Sequence, residues 1–151
     1  MLPLIALLVL TSCGQHARSA KFSSVSEGGF SPESSFREYG YGVKNASNRG
    51  VSNPGALYRW SSWQGVLTLP QSTNGCEVVA VAVRDALNKA LGGSCHDELT
   101  LSGIPNPVGK SGVLMYLKDG MKGEVHVWLF GAPTESSVSY AILLREERAS
   151  P

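Results

Sequence analysis

Apolar residues recur at helical spacing over residues 76–91, and they do so on one face only. Charged and amide side chains occupy the other face, which is the pattern of an amphipathic helix. Gly92 and Gly93 follow and provide a C-terminal stop. The pattern therefore predicts one helix over residues 76–91. Its apolar face comprises Val79, Val83, Ala86, Leu87, Ala90 and Leu91.

Strand patterns occupy most of the chain on either side of this helix. Residues 112–118, 124–131 and 138–145 are good strand candidates, whereas 57–69 and 98–102 are weaker ones. Asp119-Gly120 opens a turn that is predicted to run to Gly123. The short connections between the last three candidates favour an antiparallel meander. One helix packed on a three- to five-stranded, mainly antiparallel sheet gives an α+β domain. We assign this domain to residues 56–151.

Residues 13–55 are rich in Ser, Gly and Asn, and their apolar residues occur singly, with no strand or helix period. Such a segment buries too little apolar surface to offset the entropy of ordering it. It is therefore predicted to be a disordered, flexible tether, with a mean end-to-end distance of roughly 35–40 Å. The alternative is a binding tail in which Phe36, Tyr39 and Tyr41 are the anchors.

The chain begins with an apolar run over residues 2–10, which is far shorter than the ~20 residues of a membrane-spanning helix. Leu10-Thr11-Ser12-Cys13 follows at once. This arrangement resembles the bacterial lipobox, in which an apolar residue and two small residues precede a cysteine. The resemblance implies cleavage before Cys13, diacylglycerol on the Cys13 thiol and acylation of the new amino terminus.

The lipobox resemblance implies that residues 1–12 are a signal peptide and that the protein belongs to the bacterial cell envelope. Two or three acyl chains on Cys13 would anchor it stably to a membrane. Gly14, rather than Asp, follows the cysteine. By the sorting pattern of the lipoproteins that it resembles, this implies the outer membrane in an organism with two membranes, with the domain facing the periplasm.

Composition restricts the partners. The formal net charge is +1, and only 17% of residues are charged. Such a chain has no broad electrostatic attraction to nucleic acid. We therefore expect the membrane, and a protein or a glycan of the envelope, as partners. No cofactor is expected. Cys76, Cys95, His96 and His126 lack the paired spacing of a zinc site, so no metal is expected either.

Cys76 and Cys95 are the two cysteines of the domain, and an oxidising compartment favours a disulfide between them. A full helix over 76–91 carries the chain ~22 Å, whereas the four residues that follow can return it by at most ~14 Å. A disulfide needs Cα atoms within ~7 Å of each other, so it is marginal with a full-length helix and easy if the helix loses a turn at its end. Both a disulfide and a free Cys76 therefore remain open.

Residues 69–78, with the sequence LPQSTNGCEV, contain a Gln ahead of Asn-Gly-Cys at a predicted helix start. This stretch resembles the beginning of C39-like peptidase domains, which belong to the papain-like cysteine hydrolases. The resemblance implies that Cys76 is the nucleophile, His126 the general base and Gln71 an oxyanion donor. The substrates would be peptide or cell-wall amide bonds.

The strand over 124–131 places His126 and Trp128 opposite a face of Val and Leu. The Val and Leu face is the more natural core face, which would turn His126 away from the helix and Cys76. His126, Trp128 and Tyr116 would then form an exposed aromatic binding surface. Alternatively, residues 58–63 form a second layer that covers these rings.

We therefore expect a membrane-anchored envelope lipoprotein with a small, non-enzymatic binding or structural domain. The alternative is a papain-like cysteine hydrolase that uses Cys76 and His126.

Overall fold

A computed structural model describes the fold of residues 29–51, 58–69, 75–93, 98–105, 108–118, 120–131 and 137–148. Within these ranges the chain forms two helices and six strands. They are α1 (Pro32–Glu38), β1 (Gly42–Val51), β2 (Tyr58–Thr68), α2 (Gly75–Ala90), β3 (Ser102–Pro105), β4 (Val108–Lys118), β5 (Met121–Phe130) and β6 (Ser137–Arg148).

The strands form one open antiparallel sheet in the order β1-β2-β6-β5-β4-β3. The α+β class is confirmed, and β4, β5 and β6 are the predicted meander. Within the described ranges the sheet has six strands rather than three to five, and two helices are present rather than one. The turn between β4 and β5 is tighter than expected, because Lys118 pairs with Met121 and Gly120 has a φ of 75°.

Helix α2 confirms the prediction from the apolar period. Val79, Val83 and Leu87 are fully buried, and Gly92, with a φ of 71°, follows the helix end. The Lys118 ammonium donates a hydrogen bond to the Leu91 carbonyl just beyond the last turn. A cation at this end also interacts favourably with the helix dipole. The helix is thereby fixed against the tip of β4.

The two faces of the sheet differ sharply, as the alternation along β5 shows. Val125 and Val127 are fully buried, and Leu129 is 2% exposed. These side chains pack in one core with α1 and α2, together with Leu144 of the neighbouring β6. We call this side of the sheet the core face. The expectation that the Val and Leu face is the core is confirmed.

The structure differs from the predicted tether over residues 29–51, which form α1, β1 and the turns beside them. Phe36 is fully buried, and its ring packs edge-on against Tyr140 at 5.5 Å. The ring of Phe30 meets Trp63 at 5.1 Å. Single aromatic residues on a short helix and its flanking turns produce no sequence period, yet each buries a large apolar area. The other residues of the predicted tether lie outside the described ranges.

Polar contacts lock α1 in place. The Ser35 hydroxyl donates to the Ala82 carbonyl of α2 at 2.7 Å, and the Tyr39 hydroxyl donates to Asp85. The Tyr140 hydroxyl donates to Glu33 at 2.6 Å, and burial together with this carboxylate raises the pKa of Tyr140. These contacts satisfy polar groups beside the core and fix α1 on both α2 and the sheet.

Two tyrosine rings on the core face lie across glycines of the neighbouring strand. Tyr116 is opposite Gly123, and Tyr140 is opposite Gly65. A Cβ atom on Gly123 would lie 2.0 Å from Tyr116 Cζ, and one on Gly65 would lie 2.6 Å from the Tyr140 hydroxyl. The rings fill the space that the missing side chains leave, so each glycine is required for close cross-strand packing.

Gly123→Ala should therefore destabilise the fold by about 1–3 kcal/mol, because the buried Tyr116 ring must shift. Thermal or chemical unfolding of the full chain measures the change. Gly103→Ala is the matched control, since a Cβ there meets nothing within 4 Å, and it should change stability by less than about 0.5 kcal/mol. Equal stability of the two variants would contradict the packing argument.

Candidate functional site

The second face of the sheet is not covered by any helix or strand of the described ranges. We call it the open face. Because opposed residues of antiparallel strands share a face, the register of β2, β4, β5 and β6 defines its members. They include Tyr58, Trp60, Ser62, Val113, Met115, Leu117, Glu124, His126, Trp128, Phe130, Leu143, Arg145 and Glu147.

An apolar row lies at one side of the open face. Val113, Met115 and Leu117 of β4 are 47%, 48% and 74% exposed. On β5 the residues directly opposite this row are His126, Glu124 and Lys122, and the half-buried Trp128 is the diagonal neighbour of Val113. Exposed aliphatic side chains beside aromatic and charged groups are typical of an interaction surface.

An aromatic and charged cluster occupies the centre of the open face. His126 Nε2 lies 3.1 Å from Glu124 Oε2, and the imidazole stacks on the Trp128 ring with centroids 5.6 Å apart. The hydrogen bond to His126 is the main cause that holds the pKa of Glu124 below its ordinary value of 4.5. Arg145 and Lys122 act in the same direction. The three side chains thus hold one another in place.

A second pair of contacts borders this cluster. The Arg145 guanidinium lies 5.6 Å from the centre of the Tyr58 ring and 3.6 Å from Glu147. The first is within the range of a cation–π interaction, and the second is a half-exposed ion pair. Arg, Tyr and Trp are the residue types enriched where interfaces concentrate their binding energy.

The structure places the residues of the predicted aromatic surface on different faces. His126 and Trp128 lie on the open face, as expected. The prediction is wrong for Tyr116, which is 8% exposed and lies on the core face over Gly123. Residues 58–63, the alternative second layer, belong to β2 of the same sheet. Trp63 is buried in the core, and Trp60 lies on the open face.

Sequence reasoning missed Val113, Met115 and Leu117. The run from Val113 to Leu117 is apolar throughout, so its pattern does not show which side chains point outward. A signal was present in Asp119-Gly120, a dipeptide typical of two-residue hairpin turns. Pairing Lys118 with Met121 across that turn assigns the odd-numbered residues of β4 to the face of His126.

The residues of the hydrolase hypothesis are only partly described. Cys76 is the second residue of α2, but its side chain lies outside the described part of the structure, as do Gln71 and Cys95. His126 lies on the open face, whereas α2 packs against the core face. The described residues therefore do not bring His126 to the side of the sheet on which α2 lies. The Cys76–Cys95 disulfide stays a prediction.

A cleft of about 370 Å³ lies between α2, residues 98–101 and the start of β4. Its lining includes Glu77 and Glu98, but also Arg84 and Lys110. These two carboxylates and two cations balance, so the cleft has no net electrostatic preference for anions or cations.

One carboxylate is buried away from these surfaces. Glu146 on β6 is 1% exposed and lies directly opposite Arg59 of β2 on the core face. Glu146 is opposite Gly123 of β5, which is in turn opposite Tyr116 of β4. Burial raises the pKa of Tyr116, and the charge of Glu146 raises it further. Within the core, a buried charge requires a compensating partner, and Arg59 is the cation opposite it in the register.

Among the described residues, no three His, Cys, Asp or Glu side chains lie close enough together to hold a metal ion. Neither α1 nor α2 has the length and hydropathy needed to cross a bilayer.

The chain matches no family model, and no curated protein or solved structure gives a significant match to it.

His126→Phe should raise the pKa of Glu124 toward its ordinary value, because the variant keeps a ring on Trp128 but removes the hydrogen bond. Because the pKa of Glu124 is lowered in the folded protein, its contact with His126 stabilises the fold at pH values above the ordinary carboxyl pKa of 4.5. Its contribution is lost as the pH falls through the lowered value. A carbon-detected NMR titration of the Glu124 carboxyl measures the change.

Val113→Ala is the control for this titration, because Val113 is the β4 residue opposite His126 and makes no hydrogen bond to Glu124. It should leave the Glu124 titration unchanged. An unchanged Glu124 pKa in His126→Phe would show that the hydrogen bond is not its cause.

Proposed function

We propose that the chain is a lipid-anchored protein of the bacterial cell envelope whose domain binds a partner protein through the open face. The observation that carries the binding role is the combination of exposed aliphatic side chains on β4 with a half-buried aromatic cluster on β5. Exposed aliphatic side chains next to an ordered aromatic cluster are the combination that protein-binding surfaces use.

The anchor is supported by the sequence at the amino terminus. Leu10-Thr11-Ser12-Cys13 resembles a lipobox, and an apolar run of signal-peptide length precedes it. Residues 13–28 connect Cys13 to the first described residue, and even fully extended they could span only about 50 Å. A domain on such a connection would stay close to the membrane and encounter other envelope proteins.

The composition of the open face favours a protein over a glycan. Val113, Met115 and Leu117 present aliphatic groups, which gain most from contact with other apolar side chains. One side of the Trp128 ring is occupied by His126, which leaves less aromatic surface for a sugar. Four strands of about ten residues give a face of roughly 600 Å², close to the ~800 Å² that each partner buries in a standard protein interface.

The lipid anchor predicts that Cys13→Ala abolishes incorporation of labelled palmitate and moves the protein out of the membrane fraction. The physical reason is that the thiol of Cys13 is the proposed site of diacylglycerol attachment. Metabolic labelling and fractionation of bacterial cells expressing the full chain measure both effects. Cys76→Ala is the matched control and should keep both label and membrane association. Label that persists in Cys13→Ala would contradict the anchor.

The binding role predicts that a photoreactive phenylalanine analogue at Leu143, near the centre of the open face, cross-links to a different protein in intact cells. The same analogue at Val81, on the exposed side of α2, is the control. The Leu143 adduct should disappear when Trp128→Ala is added. Once the partner is identified by mass spectrometry and purified, Trp128→Ala should weaken its binding about 30-fold, the effect of a typical hot-spot residue.

Circular dichroism of Trp128→Ala checks that the domain remains folded. Equal adducts from Leu143 and Val81, an adduct only with a second copy of the chain, or no adduct at Leu143 would each overturn the binding proposal.

A further inference from the structure

The outer edge of β4 is unpaired over most of its length in the described structure. The edge strand β3 pairs only with residues Val108–Ser111. Residues 98–101, which precede β3, cross the core face of β4 at Gly112. A Cβ atom on Gly112 would lie 2.3 Å from the Thr100 carbonyl oxygen. The ladder between β3 and β4 therefore stops at Ser111. We call residues 112–118 the β4 edge.

The backbone of the β4 edge has hydrogen-bonding groups directed outward. The Val108 carbonyl accepts a hydrogen bond from the Gly131 N–H at 3.0 Å, so the even-numbered residues of β4 bond to β5. Because bonding alternates along an antiparallel strand, Val113, Met115 and Leu117 direct their N–H and carbonyl groups away from β5. These same residues carry the exposed aliphatic side chains.

The other two edges of the sheet are protected against pairing. β1 has a bulge between Lys44 and Ser47, with Asn45 at a φ of 53°. β3 has four residues and ends at Pro105. Bulges, short strands and proline are the devices by which natural sheets avoid edge pairing, and a long apolar edge without them is a pairing site.

The β4 edge has none of these devices. Residues 112–117 carry no charge, and the ammonium of Lys118 is directed to the Leu91 carbonyl at the end of α2. An added strand would therefore meet apolar side chains and unpaired backbone groups without having to desolvate an opposing charge.

We propose that the β4 edge pairs with the same edge of a second copy of the chain, in antiparallel register centred on Met115. In this register Met115 faces its equivalent, and Val113 faces Leu117 of the second copy, so every pair on the open face is apolar. The outward backbone groups of these residues form about six hydrogen bonds, two for each opposed pair.

The surrounding elements are compatible with this register. In this register β4 of the second copy ends at Lys118, opposite Gly112 of the first copy and one residue before the pairing with β3 begins at Ser111, so the two strands do not overlap along the edge. Among the strands that the structure describes, each copy offers one unprotected edge, so pairing closes as a two-fold dimer and does not propagate. The proposal does not depend on the lipid anchor or on the partner protein proposed above.

Met115→Cys in the full-length chain tests the register. Paired residues of this kind have Cα atoms ~5.5 Å apart, within the range of a disulfide. Mild oxidation of intact cells should therefore give a covalent dimer that the unmodified chain, with its native cysteines, does not give. Val113→Cys is the matched control, because in this register its equivalent lies about 13 Å away and no dimer is expected.

Mixing Val113→Cys chains with Leu117→Cys chains should restore the covalent dimer, since these two positions face each other. Equal cross-linking of Met115→Cys and Val113→Cys would indicate random collision and overturn the proposal. Failure of Met115→Cys to cross-link would also overturn it.

Met115→Lys tests whether the dimer can be disrupted. The substitution is made in chains that also carry Val113→Cys and Leu117→Cys, so that the cross-link reports the dimer. Met115 is 48% exposed, so the fold should tolerate lysine. Two ammonium groups at the axis should weaken the dimer at least about tenfold and remove the cross-link. Val81→Lys in the same background leaves the edge unchanged and should keep it. A cross-link that survives Met115→Lys would contradict pairing at the β4 edge.

Discussion

Burial of one face of the sheet beneath α1 and α2 is the interaction on which the rest of the structure depends. A fully buried Val or Leu side chain contributes about 1.5–3 kcal/mol, and Val125 and Val127 are both fully buried. Because side chains alternate along a strand, burying these two residues turns His126 and Trp128 to the other side. The open face is thus a consequence of the core, and its central residues are placed by the same packing that stabilises the fold.

The crossing of the chain at Gly112 links this core to the unpaired β4 edge. Residues 98–101 leave the edge to place Leu99 in the core, where it is 8% exposed. Their route leaves the outward backbone groups of Met115 and Leu117 with no strand of the described part of the chain beside them. Pairing with a second copy would satisfy these groups and join two open faces into one continuous surface. Dimer formation would then double the area available to a partner without any change within either domain.

The sequence predicted α2 from its helical period, and it predicted the meander of β4, β5 and β6 from three strand-like segments joined by short connections. It did not predict α1 or β1, because Phe36 is the only large apolar residue of a seven-residue helix and so creates no period. At the site, β5 alternates clearly, and His126 and Trp128 were assigned to the correct face. Tyr116 was not, because its strand is apolar on both faces and a longer turn was assumed between β4 and β5.

The side chains of the open face are held in place before any partner binds. His126 is fixed between Glu124 and Trp128, and Arg145 lies against Tyr58. Ordering a long side chain at an interface costs about 0.5–1.5 kcal/mol, so a cluster already ordered by its neighbours loses less on binding. These neighbours come from β2, β5 and β6, whose mutual pairing makes them the interior of the sheet. Binding energy at this cluster would therefore be concentrated on a rigid surface, whereas the exposed side chains of β4 could adjust to the shape of the partner.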